Sequence, residues 1–194
     1  MIHIYEGNGK GKTTCAAGLA LRAAGHGIPV IFAQFMKDGS SGEVRMLEQL
    51  ELVTIVLPKV FYGFYSRMNE QQKKESALEA GRMFQELTEQ AFRCCDELPD
   101  AGSHTSADTS ADTPADGPAL LLVMDEVLNA VTYGLLSDED LLGFLDKVPG
   151  SMEVVLTGRS STPEMKQKAD YITSFTKMEH PYDHGIKARS GIEY

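Results

Sequence analysis

The chain has 194 residues, 42% hydrophobic and 24% charged, enough for one α/β domain with a buried core. Its formal net charge of −10 and pI of about 4.9 argue against broad binding to nucleic acid or to a membrane surface. No apolar run approaches the ~18 residues of a membrane span and no charged leader precedes an apolar segment, so a cytoplasmic protein is expected. Its three cysteines, Cys15, Cys94 and Cys95, match neither a disulfide framework nor zinc-site spacing and read as reduced thiols.

In chain order, Ile2–Tyr5 reads as a strand and is followed at once by Gly7-Asn8-Gly9-Lys10-Gly11-Lys12-Thr13-Thr14. Three glycines let the backbone curl so that successive N–H groups converge on an anion. Lys12 is placed to reach the outer phosphates, and the Thr13 hydroxyl to ligate Mg²⁺. Cys15–Ala24 is the helix whose N-terminus would hold the phosphate. The general pattern G-x-x-x-x-G-K-[ST] asks for glycine where this chain has Glu6; the first glycine is Gly7, so the loop is one residue short. A carboxylate beside a phosphate site is unexpected.

After a helix stop at Gly25-His26-Gly27, Pro29–Phe35 reads as a buried strand and Lys37–Gly42 as a polar loop. Glu43–Leu50 is a short helix, and Leu52–Leu57 a Val- and Ile-rich strand. Pro58–Ser66 is an aromatic loop: Phe61-Tyr62-Gly63-Phe64-Tyr65 sets four aromatics in five residues, which cannot all face one core and are suited to cover a flat apolar ligand. Asn69–Leu98 is a long helix capped by Asn69. Residues 99–118 carry a repeat of small and acidic residues and read as a disordered insertion within a single domain spanning 1–194.

Leu120–Met124 is a continuous apolar strand ending in Asp125-Glu126. Beside a phosphate loop, this pair reads as a metal and water site: Asp125 as a Mg²⁺ contact, Glu126 as a second contact or a base. A capped helix opens at Ser137, Glu153–Thr157 is a strand leading to Gly158-Arg159, a short helix opens at Thr162-Pro163, and Tyr171–Met178 is the last strand. Arg159 is suited to fork onto phosphate oxygens or to a surface ion pair, and Gln34 and Lys37 follow the second strand toward the ligand. His180, Asp183 and His184 in the tail make a weak metal candidate. The alternation of strands and helices implies a mostly parallel sheet with helices on both faces and ligands at the strands' carboxyl ends.

These segments together resemble the P-loop ATP:corrinoid adenosyltransferases over nearly the whole chain. The resemblance rests on the short loop Gly7–Thr14, Gln34-Phe-Met-Lys37, Gly63-Phe64, Asp125-Glu126, Thr157-Gly-Arg159 and the tail His180-Pro-Tyr-Asp…Gly-Ile-Lys-Ala…Gly-Ile-Glu-Tyr194. It implies a RecA-like P-loop NTPase fold, a homodimer, and a flavoprotein or other reductase that supplies Co(I). It also implies transfer of the 5′-deoxyadenosyl group of MgATP to a corrinoid Co(I), with release of triphosphate. In this family the nucleotide lies reversed, so Gly7, Asn8, Gly9, Lys10, Gly11, Lys12, Thr13 and Thr14 grip the triphosphate, with Gln34, Lys37 and Arg159 nearby. Thr13, Asp125 and Glu126 manage Mg²⁺. Phe64 matches the family phenylalanine beneath the corrin, where it displaces the lower cobalt ligand. The family tryptophan two residues on is Ser66 here, which leaves Tyr65 or Tyr62 to substitute. An extension before the first strand, present in some members, has no counterpart here. A P-loop ATPase or small-molecule kinase, and a corrinoid- or nucleotide-binding protein without turnover, are the alternative readings.

Overall fold

The computed structural model describes residues 1–97 and 117–193. Six strands form one sheet: β1 (Ile2–Glu6), β2 (Val30–Gln34), β3 (Val53–Val56), β4 (Leu120–Asp125), β5 (Met152–Gly158) and β6 (Tyr171–Ser174). All pairs are parallel, in the order β3-β2-β4-β5-β1-β6. The helices are α1 (Lys12–Gly25), α2 (Gly42–Leu47), α3 (Glu70–Glu97), α4 (Val127–Thr132), α5 (Asp138–Leu145) and α6 (Pro163–Lys168).

The central strands β2 and β4 are buried along their whole length, as unbroken apolar runs in a sheet covered on both faces must be. On one face Ala16, Ala20 and Ala23 of α1 pack against Tyr5, Phe32, Val123 and Val155. Their spacing makes one small-residue stripe on the helix. On the other face α3 contributes Ala80, Met83, Phe84, Leu87 and Ala91, packed with α4 and α5 against Ile31, Leu122 and Val154. Asn69 caps α3 in a reciprocal box: its Oδ1 accepts from the Gln72 N–H, and the Gln72 Oε1 accepts from the Asn69 N–H. The expected cap at Ser137 is made, and α6 opens with Pro163 at its first position, with Thr162 capping it.

Three local expectations change. The first helix begins at Lys12, because the glycine loop runs straight into its first turn. The last strand stops at Ser174, because Phe175 leaves the sheet to meet the glycine loop. A short helix, α4, follows Glu126 where no element was expected. The acidic repeat expected at 99–118 lies largely outside the described residues. Among the described residues, no helix is long and apolar enough to cross a membrane.

Strand order sets up the site. β5 lies between the loop-bearing β1 and the acid-bearing β4, so these are two strand spacings, roughly 10 Å, apart. Thr157 at the end of β5 fills the space between them. Gln34 pairs in register with Asp125, and Glu6 with Gly158, which puts the ends of β2, β4, β5 and β1 in one row.

Candidate active site

The loop after β1 is shaped by its neighbours. A Cβ on Gly7 would lie 2.3 Å from the Phe175 carbonyl oxygen, and one on Gly9 would lie 2.8 Å from the same atom. Gly7 and Gly11 also have φ of +121° and +119°. The Gly7 N–H donates to the Arg159 carbonyl (3.0 Å), the Gly9 N–H donates to the Phe175 carbonyl (2.7 Å), and the Asn8 side chain accepts from the Lys177 N–H (3.0 Å). Gly7 and Gly9 thus use their N–H groups to hold the loop. The first-turn N–H groups of α1, at Lys12, Thr13 and Thr14, have no acceptor within the helix and are the natural anion donors.

Lys12 curls over this loop and donates to the carbonyls of Gly7 (2.8 Å) and Gly9 (2.9 Å). Burial pulls its ammonium below the usual lysine range and outweighs the attraction of Glu126 and Asp125. Glu6, the residue out of pattern, does not line the site. Its carboxylate accepts from the Ser161 N–H (2.9 Å) and hydroxyl (2.7 Å) and pairs with Lys166 (2.7 Å). Burial raises its pKa, but the bonds from Lys166 and Ser161 prevail and hold it below the usual carboxylate range.

Asp125 is fully buried at the end of β4 and gathers four donors. They are Thr157 Oγ1 (2.7 Å), Lys37 Nζ (2.7 Å), Thr13 Oγ1 (3.0 Å) and Gln34 Nε2 (3.1 Å). The Lys37 ammonium also lies 2.9 Å from Thr13 Oγ1, so one cation spans the threonine hydroxyl and the carboxylate. Gln34 Oε1 is buried and has no hydrogen-bond partner among the described residues.

Glu126 begins α4 with φ of +63°, a left-handed conformation unusual for a non-glycine residue. Its N–H donates to Thr157 Oγ1 (2.9 Å), and its carboxylate accepts from the Asn129 amide. Burial, and then the neighbouring Asp125, push its pKa up. Asn129 Oδ1 in turn accepts from the Arg159 N–H (2.8 Å), so one amide ties the acid at the end of β4 to the turn after β5. Gly158 is required there: its Cβ would lie 2.5 Å from that of Leu128 on α4.

A cavity of about 600 Å³ connects these groups to the aromatic loop, a volume within the range of small-molecule sites. Asn8, Lys12, Gln34, Lys37, Glu126 and Arg159 line one end; Phe61, Phe64, Tyr65, Ser66 and Tyr133 line the other. Thr13 and Asp125 sit beneath the polar end through the bonds above. Among the described residues Arg159 makes no ion pair, which leaves its guanidinium to the cavity. Phe64 is 73% exposed, next to Gly63 at φ +84°. Tyr65 stacks on Tyr133 (centroids 4.7 Å apart, planes 17° apart), whereas the Tyr62 hydroxyl is bound to Glu75 on α3. Of the two tyrosines proposed to stand in for the tryptophan, only Tyr65 lines the cavity.

The tail acids and histidines do not assemble into a metal centre. Among the described residues no cluster of three or more His, Cys, Asp or Glu side chains is suited to one. Asp183 pairs with Lys177, His184 with Glu179, and His180 Nδ1 accepts from the Tyr182 N–H. Sequence reasoning missed Asn129 and Tyr133, because both lie on the unexpected helix α4 or just after it. It also missed Glu193, a tail residue on the cavity rim.

The sequence pattern of the ATP:corrinoid adenosyltransferase BtuR/CobO/CobP family matches residues 1–194. The corrinoid adenosyltransferase CobA of Salmonella typhimurium is 31% identical over 195 residues, which cover all of this chain and 85% of that protein. A corrinoid adenosyltransferase of Pseudomonas aeruginosa is 30% identical over 200 residues, covering all of this chain and 83% of that protein. One from a Sinorhizobium species is 25% identical over 196 residues, covering all of this chain and 80% of that protein. With a triphosphate-type loop at one end of its cavity and an aromatic loop at the other, the chain belongs to the ATP:corrinoid adenosyltransferase family, enzymes whose substrates are ATP and a corrinoid.

Proposed function

We propose that the two ends of this cavity divide the work of one alkyl transfer. The phosphate loop grips the triphosphate as a leaving group, and the aromatic loop covers one face of the corrin. The cobalt(I) electron pair attacks C5′ of ATP, the C5′–O bond breaks, and its electrons leave with triphosphate, so cobalt becomes formally Co(III). No proton is removed at the reacting carbon and no general base is needed. The chain supplies position and charge.

In this reading Lys12, Lys37 and Arg159 neutralise the triphosphate, helped by Asn8 and by the N–H groups of Lys10, Gly11, Lys12, Thr13 and Thr14. Gly7 and Gly9 shape the loop around it. The residues at its base fit Mg²⁺. Thr13 and Asp125 offer hard oxygens 3.0 Å apart, the Lys37 ammonium already lies on both, and Gln34 Oε1 is an unused acceptor beside them. Thr13, Asp125 and Glu126 would hold the ion, whose charge would lower the cost of expelling triphosphate. Glu126 serves as a metal contact rather than a base. Phe64, with the Tyr65–Tyr133 pair, faces the corrin. Gln34 orients Asp125 through its amide.

The chain acts as a homodimer in the cytoplasm and takes its reducing electron from a flavoprotein or other reductase. The observation that carries the proposal is the single cavity joining the Lys12–Asp125 end to exposed Phe64. Anaerobic incubation with MgATP and reduced cobalamin or cobinamide is expected to give a light-sensitive alkylcobalt product and equimolar triphosphate. Release of ADP and phosphate without that product would instead establish the ATPase reading. Binding of both substrates without turnover would establish the non-catalytic one.

A further inference from the structure

Four polar or charged side chains are buried among the described residues: Gln34, Asp125, Thr157 and Glu79. The first three converge at the phosphate end. Glu79 lies elsewhere, on α3, and no role above uses it. Burying a carboxylate is costly unless it is paired and hydrogen-bonded, and here both oxygens accept hydrogen bonds, three in all. Arg82 grips it with two bonds, Nε to Oε2 at 2.9 Å and Nη2 to Oε1 at 2.6 Å. Its Oε1 also accepts the Lys59 backbone N–H at 2.5 Å.

Lys59 is where the chain leaves β3 for the aromatic loop. Further along, the Tyr62 hydroxyl donates to Glu75, one turn before Glu79 on the same helix. The Lys73 ammonium lies 5.4 Å from the centre of the Tyr65 ring, and the Ser76 hydroxyl donates to Met68 Sδ at 3.6 Å. The loop is therefore tied to the first half of α3 at its start, middle and end. Phe64 stands 73% exposed between these ties, beside Gly63 at φ +84°, with the Arg67 guanidinium 5.5 Å from the centre of its ring.

Resting on the functional reading above, we propose that Glu79, clamped by Arg82, is the positioning residue that sets the height of Phe64 and Tyr65 against the corrin. Glu79 touches no substrate and acts through the Lys59 N–H. Co(II) with seven d electrons keeps a lower axial ligand, whereas Co(I) with eight is stable with none. An apolar ring pressed on the lower face therefore favours reduction, and a ring set too low does not. A shift of about 1 Å in a positioning element is enough to cost a large factor in rate.

The test compares wild type, Glu79→Ala and Glu79→Gln, as full-length chains, with Co(II) cobalamin plus reductant and with chemically preformed Co(I) cobalamin. Glu79→Ala is expected to slow the Co(II) route about tenfold while the Co(I) route and the ATP Kd stay within about threefold. Glu79→Gln, which keeps an acceptor for the Lys59 N–H, is expected to recover most of the loss. In electron paramagnetic resonance spectra of bound Co(II) cobalamin, the splitting from the lower nitrogen ligand is expected to vanish with wild type and persist with Glu79→Ala. Equal slowing of both routes, or no slowing of either, overturns the positioning role and leaves the adenosyltransferase reading intact. If Glu79→Ala does not fold, Lys59→Pro, which removes the donor N–H, decides by the same rate ratio and the same spectrum, with Glu79→Gln as the near-wild-type control. If wild type makes no alkylcobalt from either cobalt state, both readings fall together.

Discussion

At the polar end of the cavity the central acid, Asp125, is braced by the sheet, whereas at the aromatic end the exposed ring stands on a loop. Asp125 is fully buried and receives bonds from residues on β2, β5, α1 and the loop after β2. Phe64 is 73% exposed, and the loop that carries it is tied to α3. In the proposed reading the difference follows from what each end binds. A triphosphate is a dense charge that rewards fixed dipoles and cations aimed at it in advance. A corrin face is wide, flat and apolar, and an exposed aromatic surface meets it by contact area. The two ends should therefore fail differently: phosphate-end lesions should weaken every ATP-dependent readout, and loop lesions should depend on the oxidation state of cobalt.

The largest effect is expected from Lys12→Ala. It removes the ammonium that the loop carbonyls of Gly7 and Gly9 hold in place, and product formation should fall on the order of 100-fold or more. The loss should be equal with Co(II) and Co(I) corrinoids, measured as the rates of alkylcobalt formation and of triphosphate release. Unchanged turnover would remove Lys12 from the mechanism.

Thr157→Val comes next. Its hydroxyl donates to Asp125 and accepts from the Glu126 N–H, so the near-isosteric valine leaves the Glu126 N–H without its acceptor and takes one of four donors from buried Asp125. A stability loss of ~1–3 kcal/mol is expected in urea unfolding. Because the change falls under both acids, the Mg²⁺ concentration needed for half-maximal activity should rise too. Unaltered stability would show that Asp125 is held without β5.

How much of this was legible in the sequence divides along the same line. The glycine loop, Asp125-Glu126 and Gly158-Arg159 were readable because each is a short run of unusual residues at a strand end. Parallel topology then carries all of them to one edge. The partners were not readable. Thr157 reaches Asp125 only because β5 is inserted between β1 and β4, and Asn129, bound to Glu126, reaches Arg159 across 30 positions. Helix α4 has six residues, too few for a helical period to emerge, and with it Tyr133 was lost. Glu6 looked like an intruder in the phosphate site. Alternation along β1 does not reveal that Ser161 and Lys166 wait for its carboxylate beside the neighbouring strand.

Phe64→Ala probes the other end. It should slow reaction from Co(II) precursors about tenfold, roughly 1.4 kcal/mol of barrier, and change the rate with preformed Co(I) much less. Stopped-flow comparison of the two cobalt states reads this ratio directly. Equal slowing would mean that the ring only binds corrinoid, and the contrast between the two ends would then be one of shape alone.

The smallest effect, and the one that isolates the frame from the chemistry, is expected from Glu6→Gln. The Glu6 carboxylate is held below the usual carboxylate range in the folded chain, so folding favours its ionised form. The stability it contributes is fully present above the ordinary carboxylate pKa and is lost as pH falls through the lowered folded value. Wild type should therefore exceed Glu6→Gln by roughly 1 kcal/mol near neutral pH, and the gap should close in acid below the usual carboxylate range. Urea unfolding of both proteins across that range measures it. The triphosphate yield at neutral pH should not change, since Glu6 faces Ser161 and Lys166 rather than the cavity. A gap that persists in acid would mean that the amide costs stability by geometry. A change in ATP affinity would mean that the missing first glycine tunes the phosphate grip itself, and that the firm end of the cavity depends on a residue outside it.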